Sequence, residues 1–450
     1  MKRTFTYILV IAIFITAVGF IIVKYNKDEE KKAVTFYELK ERRGPSAQTT
    51  EWATTKENAN KLLAAIKQNP DDLKSRLALA ALFVQEARIT GNYLYYDMAA
   101  MKYVNDVLKK EPENFEALIY KAIVQLSQHH FADGLQTAQQ AQKSNPYNAF
   151  IYGIMVDANV ELGNYTAAVE SSDKMVSIRP DLRSYSRIAY LREIHGDING
   201  AIEAMKMAIE AGMPGDEGTE WCRVQAGQLY EQLGDLKTAE MIYTISLEER
   251  PGYAYALAGK ARIATANKEY EKAIDHYKHA YDMLNDYSFK ERMAEVYQLA
   301  GKPEEAKKIG SEVIREMTQA SKNNNDDSAG HYSDRELAYA YITVDNTGKA
   351  LDHALLEYNR RPENIDVNET VAWVYYKQGS YEKALPYIKT ALKTNSKNPT
   401  LLCHAGLIYY KAGQTAEASR LLKQAFQLNP NISTALRTEG TNALQALQKG

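Results

Sequence analysis

Cysteine is nearly absent: Cys222 and Cys403 are the only two in 450 residues, too few for a disulfide framework or a paired-cysteine metal site. Proline and glycine are sparse, at 12 and 24 residues, so no low-complexity linker divides the chain into independent domains. There is no excess of one charge. Fifty-five lysines and arginines face 57 aspartates and glutamates, and without a basic surplus no nucleic-acid partner is expected. Also missing are a phosphate-binding glycine loop, a His-Glu-x-x-His zinc motif and a nucleophile elbow. The expectation is therefore a noncatalytic protein without cofactor or metal. What the chain does have is 45% apolar residues and 32 tyrosines, enough for a core larger than one ordinary domain holds.

That core is periodic. Pro112, Pro146, Pro180 and Pro214 stand 34 residues apart, as do the pairs Gly379 and Gly413, Ala384 and Ala418, Ala391 and Ala425. A period of this length marks stacked helical hairpins. Two helices of roughly 12 to 14 residues cannot bury both apolar stripes within one hairpin, so neighbouring units supply the missing core. Gly406 and Ala418 let helix backbones approach, while Tyr409 and Leu422 fill the space between them. Gly413 ends the first helix in the left-handed conformation, and Pro430 stops the second. The two cysteines fall about five repeats apart and are expected as small buried helix residues.

These residues resemble the tetratricopeptide repeat family, whose unit carries small residues at its eighth, twentieth and twenty-seventh positions, an aromatic at the eleventh and proline at the thirty-second. Gly227, Tyr230, Gly234, Ala239, Tyr243 and Pro251 match almost completely, as do Gly406, Tyr409, Gly413, Ala418, Ala425 and Pro430. The run 221–281 and the phrase Cys403, His404, Ala405, Gly406 are also similar to large bacterial members without an assigned activity. The resemblance implies an all-α, right-handed superhelical solenoid of helix-turn-helix repeats. It also implies a scaffold or adaptor that binds protein or peptide partners on its concave face. The alternative is a glycan- or peptide-handling module of a bacterial envelope or transport assembly.

In chain order, residues 5–23 form an uncharged, mostly apolar run behind Lys2 and Arg3, long enough to span a bilayer. A membrane anchor occupying residues 1–27 is expected. A cleavable signal is the alternative, since Ala17 and Gly19 offer the small residues of a cleavage site. The lysines on the far flank argue for a cytoplasmic repeat domain, and the short basic tail argues for an outward-facing one, which is preferred here. Residues 28–56 read as a polar spacer and 57–70 as a cap helix. Residues 71–318 hold repeats 1–7, 319–330 a flexible polar insertion, 331–430 repeats 8–10, and 431–450 a capping helix. The first unit, 42 residues long, is expected to carry its extra length in a projecting turn around Gly91, Asn92 and Tyr93. Tyr93, Tyr95 and Tyr96 there are either an exposed contact or packing beneath that turn.

Candidate ligand groups are few. His129 and His130 share a turn and His276 and His279 a helix face, without an obvious third ligand. Asn325, Asp327, Gly330 and Glu336 are spaced like a calcium loop, but Ala329 occupies a ligand place, and a polar surface loop is expected. In the resembled family the concave surface is lined by the second, fifth, ninth and twelfth positions of each first helix. Mapped unit by unit, these are Asp157, Arg183, Tyr190, Glu193, Trp221, Gln228, Glu231, Tyr255, Arg262, Glu291, Glu295, Tyr332, Arg335, Tyr339, Trp373, Tyr376 and Tyr410. Aromatics among carboxylates and arginines suit an extended peptide, because aromatics bury area while charges set register. Arg262 and Arg335 lack the neighbouring asparagines of a terminal-carboxylate clamp, so that arrangement is not expected.

Overall fold

The structure, a computed structural model, describes residues 36–322 and 331–449, together with Phe14, Thr16, Val18, Gly19, Phe20 and Lys24. Among the described residues no helix is long and apolar enough to cross a membrane. The expected span 5–23 lies for the most part outside them, as do Asn325, Asp327, Ala329 and Gly330 of the calcium-like spacing.

Ten helical hairpins follow one another. The first seven pair Leu73–Thr90 with Tyr93–Leu108, Phe115–Ser127 with Phe131–Ser144, Ala149–Leu162 with Tyr165–Ile178, Leu182–Ile194 with Ile198–Glu210, Glu217–Gln232 with Leu236–Glu249, Ala254–Ala266 with Tyr270–Met283, and Tyr287–Leu299 with Pro303–Lys322. The last three pair Asp334–Thr343 with Thr347–Arg360, Ile365–Lys377 with Tyr381–Ala391, and Pro399–Lys411 with Thr415–Leu428. Thr50–Gln68 precedes the stack and Thr434–Lys449 follows it. Each helix packs on the one before and the one after, and successive first helices also touch, so they form a continuous inner layer.

Local chemistry explains the repeat. Asn114, Asn148, Asn364 and Asn398 cap first helices by accepting backbone N–H bonds. Every hairpin then turns through one left-handed residue. Seven are glycines, and the other three are His129, Lys268 and Asp345, each at a cost of about 1–2 kcal/mol relative to glycine. Gly227 and Gly259, in adjacent units, face the two sides of Tyr243. A Cβ on either would lie 2.4 Å and 2.7 Å from its ring. The absent side chains thus form the slot that the aromatic fills. Gly406 plays the same part for Leu422, whose Cγ would lie 2.6 Å from an added Cβ. Both cysteines are free and buried, and burial pushes their thiols up to about 12.

Three expectations need correction. The extra length of the first unit lies in its helices, of 18 and 16 residues, rather than in a projecting turn. Tyr95 and Tyr96 pack, with their hydroxyls bonded to the backbone of Glu38 and Lys40. The spacer reading also ends too late. From residue 36 the chain lies against the first unit, and the cap helix begins at Thr50 with Trp52 only 1% exposed. The cause is Arg42, which is buried between Glu86 (2.9 and 2.5 Å) and Glu51 (2.9 Å). Finally, the outer helix of the seventh unit continues through 319–322 of the expected insertion, and the eighth unit's first helix begins at Asp334 rather than at 331.

The stack also closes on itself. Glu51 reaches Arg250 across 199 residues, His129 reaches Tyr332 across 203, Glu161 reaches Arg361 across 200, and Glu231 reaches Asn429 across 198. With a 34-residue period, these separations correspond to one superhelical turn of about six units. The turns touch edge to edge: hairpin turns of one meet inter-unit connections of the next. At Gly163 an added Cβ would lie 2.3 Å from the Glu363 backbone, and at Gly234 it would lie 2.8 Å from Pro430 Cδ.

Candidate functional site

At about six units per superhelical turn the first helices line the inside of the coil, and that lumen is the candidate site. Its lining separates the residues expected on the concave face into three groups.

The first group is spent on holding units together. Arg262 grips Glu231 through Nε (2.9 Å) and a terminal nitrogen (3.0 Å) and donates to the Tyr243 hydroxyl, which in turn donates to Glu231. Arg187 holds Asp157 at 2.9 and 2.5 Å. Trp221 and Tyr410 are partly buried against the cores of their own units. Gln228 is half-buried. Tyr255 meets Tyr253 and Phe289 edge to face at 5.7 and 5.8 Å.

The second group does not line the lumen, correcting the sequence expectation. Trp373 and Tyr376 are each 6% exposed. Trp373 stacks on His404 at 3.7 Å and on Tyr376 at 4.8 Å, and the Tyr376 hydroxyl donates to Glu439 of the last helix. The terminal helix thus reaches Tyr376, while Trp373 is covered by His404 of the next unit. Tyr332 precedes its helix and lies between turns: its N–H donates to Gln128 O (3.2 Å), and its ring stacks on His130 at 4.3 Å.

The third group faces the lumen: Arg183, Tyr190, Glu193, Glu291, Glu295, Arg335 and Tyr339. Water reaches Tyr190, which is 37% exposed, yet protein surrounds it. Burial, with Asp366, Glu161 and Glu193 around it, holds the phenol well above its ordinary value. Burial also raises Glu193, which accepts one bond from Gln232. Glu291 is pushed up to about 8 by burial and by the neighbouring carboxylate of Glu336. Arg335 works against burial but is kept charged by Asp366 and by further anionic neighbours, and its Nε donates to Thr370 (3.3 Å). Tyr339 lies beneath that guanidinium at 5.8 Å. Arg292 and Glu295 pair at 3.0 Å. Arg183 lies 4.8 Å over Phe150 beside a 310 Å³ cavity walled by Tyr147 and Arg179.

The sequence reading missed Asp366 and Glu369, although they stand at the second and fifth places of the ninth unit, the same places it used elsewhere. Burial raises Asp366. Burial opposes the charge on Glu369 as well, but a 2.8 Å hydrogen bond with His404 holds its carboxyl below the usual range. Glu161, Arg292 and Arg361 were also missed, because they lie outside the four mapped positions. Among the described residues no three histidines, cysteines or acids are placed to share a metal ion. His279 pairs with Asp275 at 3.3 Å. Chemically, the lumen offers hydrogen-bond acceptors, guanidinium donors and tyrosine faces, groups that can meet a polar backbone and its side chains.

Tetratricopeptide repeat models match residues 224–288 and 360–438. No curated protein matches the chain in sequence. Among solved structures, it is similar to a tetratricopeptide repeat protein of Parabacteroides merdae, with 16% identity over 59% of this chain and 98% of that one and a TM-score of 0.35. A thermophilic tetratricopeptide repeat protein of Thermus thermophilus gives 21% identity over 44% and 99% of the two chains, with a TM-score of 0.37. The Cut9–Hcn1 hetero-tetramer of APC/C gives 13% over 88% and 74%, with a TM-score of 0.39. Repeats of this kind build concave protein-interaction scaffolds. The two matched stretches repeat the hairpin that recurs through all ten units, and the chain is a tetratricopeptide repeat protein.

Proposed function

We propose that this protein is a membrane-anchored, noncatalytic scaffold that holds an extended segment of a partner protein inside its lumen. The observation that carries this reading is the closure at about six units per turn. Neighbouring helices pack about 8–10 Å apart, so six of them form a ring whose axes lie about that far from the centre. A helix with side chains reaches roughly 5–6 Å from its own axis. The remaining bore, about 4–10 Å across, is narrower than a second helix with its side chains, so the occupant it favours is a single extended strand, about 4.8 Å thick in its hydrogen-bonding direction, with its side chains lodged between those of the lining. Tyr190, Glu193, Arg335, Tyr339 and Asp366 supply the faces and the polar groups that such a strand needs.

The anchor is the apolar run 5–23, and its basic leader favours a repeat domain on the outer side of the membrane. A photo-crosslinking residue replacing Tyr190 is expected to capture one partner protein in intact cells, and the same residue replacing the outward-facing Met241 is not. Side-selective protease treatment of those cells places the repeats. Equal capture from both positions, or capture only from Met241, would move the site off the lumen.

A further inference from the structure

The turn Gln128–His130 of the second unit and the segment His331–Tyr332 ahead of the eighth form a seam between successive superhelical turns. His129 Nδ1 lies 2.6 Å from Tyr332 O, so Nδ1 carries the proton and donates it to the carbonyl. The second ring nitrogen is the one left to titrate. The rings of His129 and His331 are 4.3 Å apart, and the ring of His130 stacks on Tyr332 at 4.3 Å. Arginines surround them. Arg361 lies 4.7 Å over Phe131 and Arg360 lies 4.0 Å over Tyr332, and Arg335 is also close enough to disfavour charge on His129. The carboxylates facing this cluster are few and mostly committed. Glu336 favours charge on His331, Asp133 lies 3.6 Å from His130, and Glu161 and Glu357 are engaged by Arg361. Asp334 is held by Arg360 and His353.

We propose that this seam is a pH-operated latch: protonation of His129 and His331 parts the two superhelical turns and opens the lumen along its side. Two imidazolium rings in van der Waals range, with the guanidiniums of Arg361 and Arg335 acting on His129, repel one another and their surroundings. In the closed seam burial pushes both histidines down to about 4, whereas a free histidine titrates near 6.5. The opened seam therefore binds protons that the closed one does not. The advantage of closure is complete above about pH 6.5 and erodes as pH falls toward 4. At pH 5 the shift toward opening is roughly thirtyfold per histidine. The proposal does not depend on what the lumen holds.

The test is amide hydrogen exchange of the full-length protein, resolved to single residues and corrected for intrinsic rates. The reporters are the N–H groups of Tyr332 and Ile365, which donate across the seam to Gln128 O and the Tyr165 hydroxyl. Between pH 7.5 and 5.0 their protection is expected to fall at least tenfold, with a parallel drop in sedimentation coefficient, while amides inside Ala149–Leu162 keep theirs. His129→Asn combined with His331→Gln retains a side-chain donor at the turn and removes both titrations, and is expected to abolish the pH dependence. His331→Gln alone should reduce it by half or more on a logarithmic scale, because it removes one titration and the repulsion between the two rings. Constant protection in the wild type, or an equal loss in the double variant, would overturn the latch.

Discussion

The two ends of the first superhelical turn are fastened by different chemistry. At the N-terminal side, residues 36–52 are clasped by permanent charges: Arg42 between Glu86 and Glu51, Arg250 on Glu51, and Arg43 on Asn285. Further along the same edge, where the second and third units meet the eighth and ninth, histidine rings, backbone carbonyls and the amide of Asn364 carry the contact, joined by the Glu161–Arg361 pair. Carboxylates paired with arginine keep their charge across the physiological range, and histidines do not. One seam is thus a fixed clasp and the other an adjustable one.

The largest test of that contrast is Arg42→Met. It leaves Glu86, which is 0% exposed, buried without its counter-ion, and is expected to cost about 3–5 kcal/mol in denaturant unfolding. Exchange at Ile365, on the other seam, should stay unchanged. Adding Glu86→Leu should recover most of the loss, because the pair as a whole contributes far less than its stranded half costs. If Arg42→Met also loosens Ile365, the two seams are one cooperative unit and the contrast fails.

Next comes Gly163→Ala against Gly413→Ala. Both glycines are left-handed, at φ 79° and 75°, so both variants bear about 1–2 kcal/mol of backbone strain. Only at Gly163 would the new Cβ also strike the neighbouring turn, at Glu363, whereas Gly413 has nothing within 4 Å. A larger loss of thermal stability at Gly163, with loss of Ile365 protection, isolates the contribution of the seam. Equal effects would mean that the edges touch without stabilising one another.

The smallest effect belongs to Asp97, in the unit that the N-terminal segment covers. It is 3% exposed, accepts a 2.6 Å bond from Ser127, and is pushed up to about 7 by burial. Its folded value lies above the unfolded one, so its contribution is favourable at low pH and is lost as pH rises from about 4 through 7. Asp97→Asn is therefore expected to stabilise the protein at pH 8 and to leave it unchanged near pH 4. This is opposite in sign to the acid response of the histidine seam. A melting curve at each pH checks it.

The hairpins were legible in the sequence because each depends on residues close together in the chain. Gly227 and Tyr243 belong to one unit, Gly406 and Leu422 to another, and the caps sit one residue ahead of the helices they serve. Ten units were expected and ten are present among the described residues. The closure was not legible, because it joins residues about 200 positions apart. It depends on the small rotation accumulated over six units, which no local pattern encodes. For the same reason His129 read as an ordinary turn residue, and Tyr332 as a groove residue rather than a rung between turns. Trp373 and Tyr376 fit the mapped positions as well as Tyr190 and Tyr339 do. What separates them is packing from later in the chain: His404 of the next unit stacks on Trp373, and Glu439 of the last helix, 63 residues away, accepts from Tyr376.

A solenoid whose coils do not touch can gain or lose a repeat and remain much the same object. This one cannot, because its edges interlock at a fixed interval. Removing a single unit between Gly163 and Glu363 would slide the partners on either side of the deletion past one another by one place, carrying Glu363 away from Gly163 and Arg361 away from Glu161. Edge-to-edge contact thus makes the chain count its own repeats, and its length becomes part of its structure.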